Sequence, residues 1–159
     1  MADLRRRSLT VPTALGWLCV EVTKQGVASL NFCRGGRRGR LPYNLTRALQ
    51  RYAAGHVVRF KVPLDLSAGT PFQRSVWRTL TRIPRGQTRS YAWVAKQIGN
   101  PRATRAVGAA CGANPVPIIV PCHRVIASDG SIGGFSSGLR LKRRLLKLEG
   151  IQSSMAGGL

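Results

Sequence analysis

Residues 114–126 read NPVPIIVPCHRVI and set a thiol, an imidazole and a guanidinium side by side at Cys122, His123 and Arg124. Sulfur is nucleophilic as thiolate, and positive charge nearby favours that ion, so a lowered Cys122 pKa is expected. Pro115, Pro117 and Pro121 exclude a helix and interrupt any regular sheet ladder. Ile118, Ile119 and Val120 draw the chain inward, so a buried, extended run is expected. Neighbouring side chains on a straight strand face opposite sides. Cys122 and His123 therefore cooperate only if Pro121 turns the backbone or the imidazole acts through a water. The segment alone leaves two readings open, a nucleophilic cysteine and an inert buried one.

One acid bears on the same chemistry. In LRLKRRLLKLEG, Leu141, Leu145 and Leu148 make an apolar stripe, and Glu149 follows four residues after Leu145 on the same face. A carboxylate in the last turn of a helix opposes the helix dipole and needs a partner. Orienting an imidazole would complete a Cys–His–Glu relay. An ion pair with one of the many arginines is the plainer alternative.

The elements that must position these groups belong to a strongly basic chain. Its 159 residues carry 26 Lys+Arg, 21 of them Arg, against 5 Asp+Glu, a net charge of +21. Such a surface repels itself, and its natural partner is a polyanion. No apolar run approaches the about eighteen residues of a membrane span. The opening MADLRRRSLTVPTALGWLCV has a faint signal-peptide look at Arg5–Arg7, but Pro12, Gly16 and Glu21 read better as entry into a strand. Cys19, Cys33, Cys111 and Cys122 show no CxxC spacing, and His56 and His123 are the only histidines. No structural metal is expected, and free buried thiols are the default; Cys19 and Cys33 could meet across paired strands.

The pattern divides the chain at residues 67–70. Residues 15–33 read as a hairpin turning at Gly26, with Val27, Ser29 and Asn31 alternating against Ala28, Leu30 and Phe32. CRGGRRGRLP, with Arg34, Arg37, Arg38 and Arg40, is expected to be a solvated loop. A helix over 44–54 is expected to start at Asn44, and VVRFKVPLDLS to form a further strand ending near Leu66. Beyond the boundary, Thr70, Pro71 and Gln73 form a capping box. It opens a helix striped by Phe72, Val76, Trp77, Leu80 and Ile83 and stopped by Pro84–Gly86. Ser90 caps a second helix, with Trp93, Val94 and Ile98 facing inward and Gly99 at its end; Asn100–Pro101 caps a third that runs to about Gly112.

Three helices on short turns suggest a helix-turn-helix core, though they could equally pack as a plain bundle; the arginine surplus favours nucleic-acid binding. In the third helix Thr104, Gly108 and Gly112 recur every four residues among Ala103, Ala106, Ala109 and Ala110, which allows close approach to another surface. Arg105 is the long fork on this nearly bald helix, which suits fit rather than base readout. The fold class is α/β: a small strand-rich α/β domain over 1–66, a mainly helical, winged-helix-like helix-turn-helix domain over 67–150, and a flexible tail over 151–159.

PCHRV at 121–125, NPVPI at 114–118, FQRSVW, SYAWVA, GNPRATRAVG and GLRLKRRLLKLEG together resemble the O6-alkylguanine-DNA alkyltransferase family closely over about 70–150, and residues 15–33 resemble its N-terminal hairpin more loosely. The resemblance implies single-turnover transfer of an alkyl group from guanine O6 to Cys122. It implies that His123 polarises the thiol through a water, that Glu149 orients His123, and that Tyr91 binds the flipped guanine and protonates it as it leaves. Arg105 resembles the arginine that fills the vacated place in the base stack, Asn114 the hinge residue bracing the active-site turn. Thr104, Ala106, Ala109 and Arg102 would meet DNA in the minor groove. Val125, Phe135, Ser136 and Ser137 would border the base pocket. Phe135 stands where many relatives have Tyr, and Ser137, where Gly is usual, could narrow the entrance. The implied partner is double-stranded DNA containing O6-alkylguanine, met by a monomer with no cofactor, no metal and no membrane, in the cytoplasm and nucleoid, or in a eukaryotic nucleus. Two other functions stay open: a non-catalytic binder of damaged bases and a cysteine hydrolase.

Overall fold

Alternating burial of Leu18, Val20 and Val22 builds the middle strand of an antiparallel sheet in the computed structural model, which describes residues 7–152. The chain divides into two compact units, Met1–Ala68 and Gly69–Leu159. In the first, strands β1 (Arg7–Thr13), β2 (Gly16–Thr23) and β3 (Gly26–Cys33) lie in the order β1-β2-β3. The expected hairpin is thus joined by a third strand just before it; Arg5 and Arg6 fall outside the described residues. A bulge at Glu21/Val22 pairs Glu21 with Ser29 and Val22 with Val27, leaving Ala28 extra. That extra residue changes the parity of β3, so Val27 and Leu30 both enter the core, which simple alternation does not allow. Cys19 faces Asn31 and Cys33 faces Trp17, so these two thiols are not opposite one another, and both are free.

One expectation for this unit is corrected. Residues 57–66 form no strand; only a single bridge, Val27↔Leu64, joins them to the sheet, because Pro63 has no N–H to extend a ladder. The Arg/Gly segment is exposed, as expected, and is also tied to the sheet. Arg37 O accepts from Thr10 N at 2.8 Å, and the Arg38 guanidinium lies 4.7 Å from the Trp17 ring centre. Helix α1 (Leu45–Ala53) buries Leu45, Leu49 and Tyr52. Asn44 precedes it in a left-handed conformation (φ 55°) and supplies no side-chain cap.

In the second unit, α2 (Pro71–Leu80) starts at the capping box: Thr70 Oγ1 accepts from Gln73 N and Gln73 Oε1 accepts from Thr70 N. Ser90 caps α3 (Tyr91–Gln97), whose buried residues are Val94 and Ala95, with Trp93 and Ile98 half-buried. Helix α4 (Thr104–Gly112) begins after Ala103 and has no side-chain cap, so Asn100 does not start it. Trp77 Nε1 donates to Ala110 O at 2.8 Å and locks α2 to α4. Two short parallel strands, β4 (Arg89–Ser90) and β5 (Val125–Ile126), pin the start of α3 to the segment after Cys122. Helix α5 (Leu139–Leu148) buries Lys142, Leu145 and Leu146, a face rotated from the expected leucine stripe. Ile151 packs on Ile132 and Leu146, so the expected tail starts anchored; its remainder lies largely outside the described residues. No helix among the described residues is long and apolar enough to cross a membrane.

Candidate active site

The proline-rich segment is coiled rather than extended. Val120 N bonds back to Val116 O, and Ile118 sits at φ 76°, a strained conformation for a β-branched residue. Asn114 braces this coil from within: its Nδ2 donates to Val120 O at 2.8 Å and its Oδ1 accepts from Val116 N at 2.9 Å. The chain then turns through one 3-10 turn, Cys122–Arg124. Pro121 therefore does turn the backbone, and adjacent residues serve two neighbouring spaces. Cys122 borders a cavity, while His123 is fully buried.

His123 Nε2 lies 2.8 Å from Glu149 Oε2, both side chains sealed from solvent. Arg124 also bonds this carboxylate, through Nε at 2.7 Å and Nη2 at 3.0 Å, and gives Nη1 to Ile83 O at 2.6 Å. The two sequence alternatives for Glu149 are thus both realised. Burial holds His123 below its ordinary pKa, against the opposing pull of Glu149, so the imidazole is neutral near pH 7. A carboxylate only accepts, so Nε2 carries the proton and Nδ1 keeps its lone pair. That buried Nδ1 has no hydrogen-bond partner among the described residues.

The lowered thiol pKa is not found. Burial pushes Cys122 upward, resisted by an Asn114 hydrogen bond and the Lys142 charge. Arg124 is engaged with Glu149 and Ile83 O instead of flanking the sulfur. The cation acting on Cys122 is Lys142, which sequence reasoning passed over as one charge among many. It is completely buried, with Nζ donating to Val125 O at 2.7 Å and Gly134 O at 3.0 Å and lying 5.8 Å from the Tyr91 ring centre. Burial lowers its pKa from 10.5 to about 8. Its spacing, seven residues before Glu149 and three before Leu145, is the helical signal that could have revealed it.

Cys122 opens on a cavity of about 430 Å³, within the range of small-molecule pockets. Tyr91, Arg105, Thr104, Phe135 and Ser136 border it, joined by Cys111 and the glycines 108, 112 and 134, which were not foreseen. Burial raises the Tyr91 pKa, so its phenol remains a proton donor, and burial pushes Cys111 up to about 12. Gly108 leaves the Tyr91 ring uncovered: a Cβ there would lie 4.0 Å from it. Arg102, Ala106 and Ala109 are exposed and do not line the cavity. Ser137 is exposed away from the lining, so it does not narrow the entrance. Val125 is wholly buried and supports the site through its carbonyl rather than walling the pocket.

Short helices joined by tight turns, with a buried cysteine lining a cavity between them, define the class of helical domain to which known proteins can be compared. The family model for the 6-O-methylguanine DNA methyltransferase DNA-binding domain matches residues 71–151. The methylated-DNA--protein-cysteine methyltransferase of Methanosarcina acetivorans is 43% identical over 146 residues, covering 86% of this chain and 93% of its own. The enzyme of that name from Mycobacterium tuberculosis is 54% identical over 101 residues, 64% of this chain and 61% of its own. Among solved structures, Mycobacterium tuberculosis O6-methylguanine methyltransferase matches with a TM-score of 0.80 at 38% identity, over 91% of this chain and 92% of that one. The same bacterium's OGT in complex with DNA matches at 0.79 and 39% identity, over 95% of both chains. The chain belongs to the 6-O-methylguanine DNA methyltransferase family.

Proposed function

We infer that this protein repairs O6-alkylated guanine in DNA directly, moving the alkyl group onto Cys122. The observation that carries the assignment of the acceptor is that Cys122, Tyr91 and Arg105 line one cavity. A base stacked in a duplex cannot reach a thiol that is 5% exposed, so the guanine is rotated out of the helix into the cavity. Arg105, on the exposed side of α4, takes the space the base leaves.

The chemistry is a displacement at the alkyl carbon. His123 Nδ1 accepts the Cys122 proton through a bridging water, and Glu149 stabilises the imidazolium as it forms. Lys142 favours the transient thiolate. Sulfur bonds to the alkyl carbon while the carbon–O6 bond breaks, and Tyr91 gives its proton to the departing purine. Products are a Cys122 thioether and unmodified guanine. A thioether offers no acyl carbon or disulfide to a second nucleophile, so each molecule reacts once.

DNA is the partner, as it is for the structurally similar mycobacterial protein solved with DNA. Duplex containing O6-alkylguanine is the substrate form, bound largely through phosphates, with Thr104, Ala106, Ala109 and Arg102 beside Arg105 on or just before the exposed face of α4. On this reading the protein acts as a monomer, at work on chromosomal DNA in the cytoplasm or a nucleus.

The test is mass spectrometry after incubation with duplex containing O6-methylguanine. One methyl group on Cys122, with product capped at one per protein molecule, is expected. Tight binding without methyl gain would leave only a damage binder, and repeated turnover would mean a hydrolase.

A further inference from the structure

Among the described residues, those around the Cys122 cavity all belong to the unit Gly69–Leu159. The unit Met1–Ala68 nonetheless carries 12 Lys+Arg against 3 Asp+Glu, +9 of the chain's +21. Charge of one sign repels itself in a compact fold, and the alkyl-transfer chemistry makes no use of it.

Six of these twelve cations are gathered around two adjoining cavities. One cavity of about 560 Å³ has Arg7, Lys24 and Arg40 around Leu9, Val22 and Leu41. A second of about 610 Å³ has Arg40, Arg47, Arg51 and Arg59. Arg40, Leu41 and Asn44 line both, so the two make one concave tract around the start of α1. No Asp or Glu is among the described residues lining either. Arg47 and Arg51 stand one turn apart on α1, separated by about 6 Å along its axis. The tract has a strained lip: Tyr43 (φ 60°) and Asn44 (φ 55°) are both left-handed, and Tyr43 is 47% exposed. Consecutive non-glycine residues in that region are uncommon.

A concave wall of one charge sign focuses potential, and arginine forks pair with phosphate oxygens two at a time. A single-strand platform needs successive aromatic rings; Tyr43 is the one aromatic among the described lining residues. We propose that this tract of the N-terminal unit is a second DNA-binding surface, which grips the phosphate backbone of duplex DNA separately from α4. The choice of DNA among polyanions rests on the repair function inferred above.

The test measures affinity of the full-length protein for undamaged duplex across a salt series. Each phosphate contact contributes about 0.9 to the slope of log affinity against log salt. The variant R40Q/R47Q/R51Q should flatten that slope by up to about 2.7. R140Q/R143Q/K147Q, which removes equal charge from α5, should leave the slope near that of the parent. Alkyl transfer from free O6-benzylguanine to Cys122 should stay unchanged in R40Q/R47Q/R51Q, showing that the fold and the site are intact. If the triple variant does not fold, R40Q and R47Q/R51Q are measured apart, with expected changes of about 0.9 and 1.8. An unchanged slope in folded variants overturns the proposal, as does an equal fall in the α5 variant. A fall seen with single-stranded DNA or RNA but not duplex overturns the choice of partner. Failure of the wild type to take up methyl on Cys122 would sink the repair assignment instead, leaving the slopes on undamaged duplex to be judged separately.

Discussion

Replacing Glu149 with Gln isolates the proton path, because the two side chains have the same shape and differ in what the end group can accept. Glu149 receives Arg124 Nε and Nη2 and faces His123 Nε2, all within 3.0 Å. Arg124 only donates, so the Gln amide oxygen stays with Arg124 and its NH₂ turns to His123. Nε2 must then accept, the ring proton moves to Nδ1, and the lone pair that takes the Cys122 proton is gone. A general base contributes about 10²- to 10⁴-fold to rate. That corresponds to about 2.7–5.4 kcal/mol of barrier. Breaking a buried ion pair also costs about 3–5 kcal/mol of stability, so the fold is checked by circular dichroism at the assay temperature. The assay is single-turnover methyl transfer from duplex O6-methylguanine, with DNA affinity measured in parallel. Transfer should slow by at least about a hundredfold with affinity nearly unchanged. Because burial raises the Cys122 pKa, the variant should regain rate about tenfold per pH unit as hydroxide takes over the proton. A folded Glu149→Gln protein reacting at the wild-type rate, with an unaltered pH profile, would refute the proton path.

Tyr91→Phe removes the proton donor to the leaving purine, so the transfer rate should fall about 10²-fold or more with DNA affinity kept; a loss of less than about threefold would exclude that role. Arg105→Ala should slow transfer from duplex by about tenfold or more while leaving transfer from free O6-benzylguanine unchanged, since only the former needs a base extruded. Equal effects on both substrates would mean general damage to the site. Lys142 and His123 have folded pKa values below their ordinary ones, so the unfolded chain binds more protons in both windows. The Lys142 contribution to stability should therefore rise between pH 8 and 10.5 as the buried ammonium is relieved of its charge, opposed in the alkaline range by Cys111, Cys122 and Tyr91, whose raised pKa values keep protons on the folded chain; the His123 contribution should fall as pH drops below 6.5 and through its depressed pKa. In denaturant titrations, wild-type stability measured relative to Lys142→Met should increase over that window, and a pH-independent difference would refute the assignment to Lys142.

What the sequence carried by itself was local. The Thr70–Gln73 capping box and the Ser90 cap are written in neighbouring residues and appear as read, while the α2 stripe holds at Val76, Trp77 and Leu80 but the helix ends at Leu80, before Ile83, with Phe72 half-buried. The pairing of the imidazole with a distant carboxylate was also legible, because few residue types can do that chemistry. Long-range effects were not. The bulge that turns Val27 and Leu30 inward depends on the register between two strands, and Pro63 cancels a strand whose pattern looked sound. Whether a charge beside a thiol acts on it depends on where the charge points. Arg124 turns to Glu149 while Lys142, twenty residues away in sequence, enters the core and faces the site. Desolvation then decides the ionisation of Cys122, and desolvation is a property of every element packed around the sulfur, so no stretch of chain could state it alone.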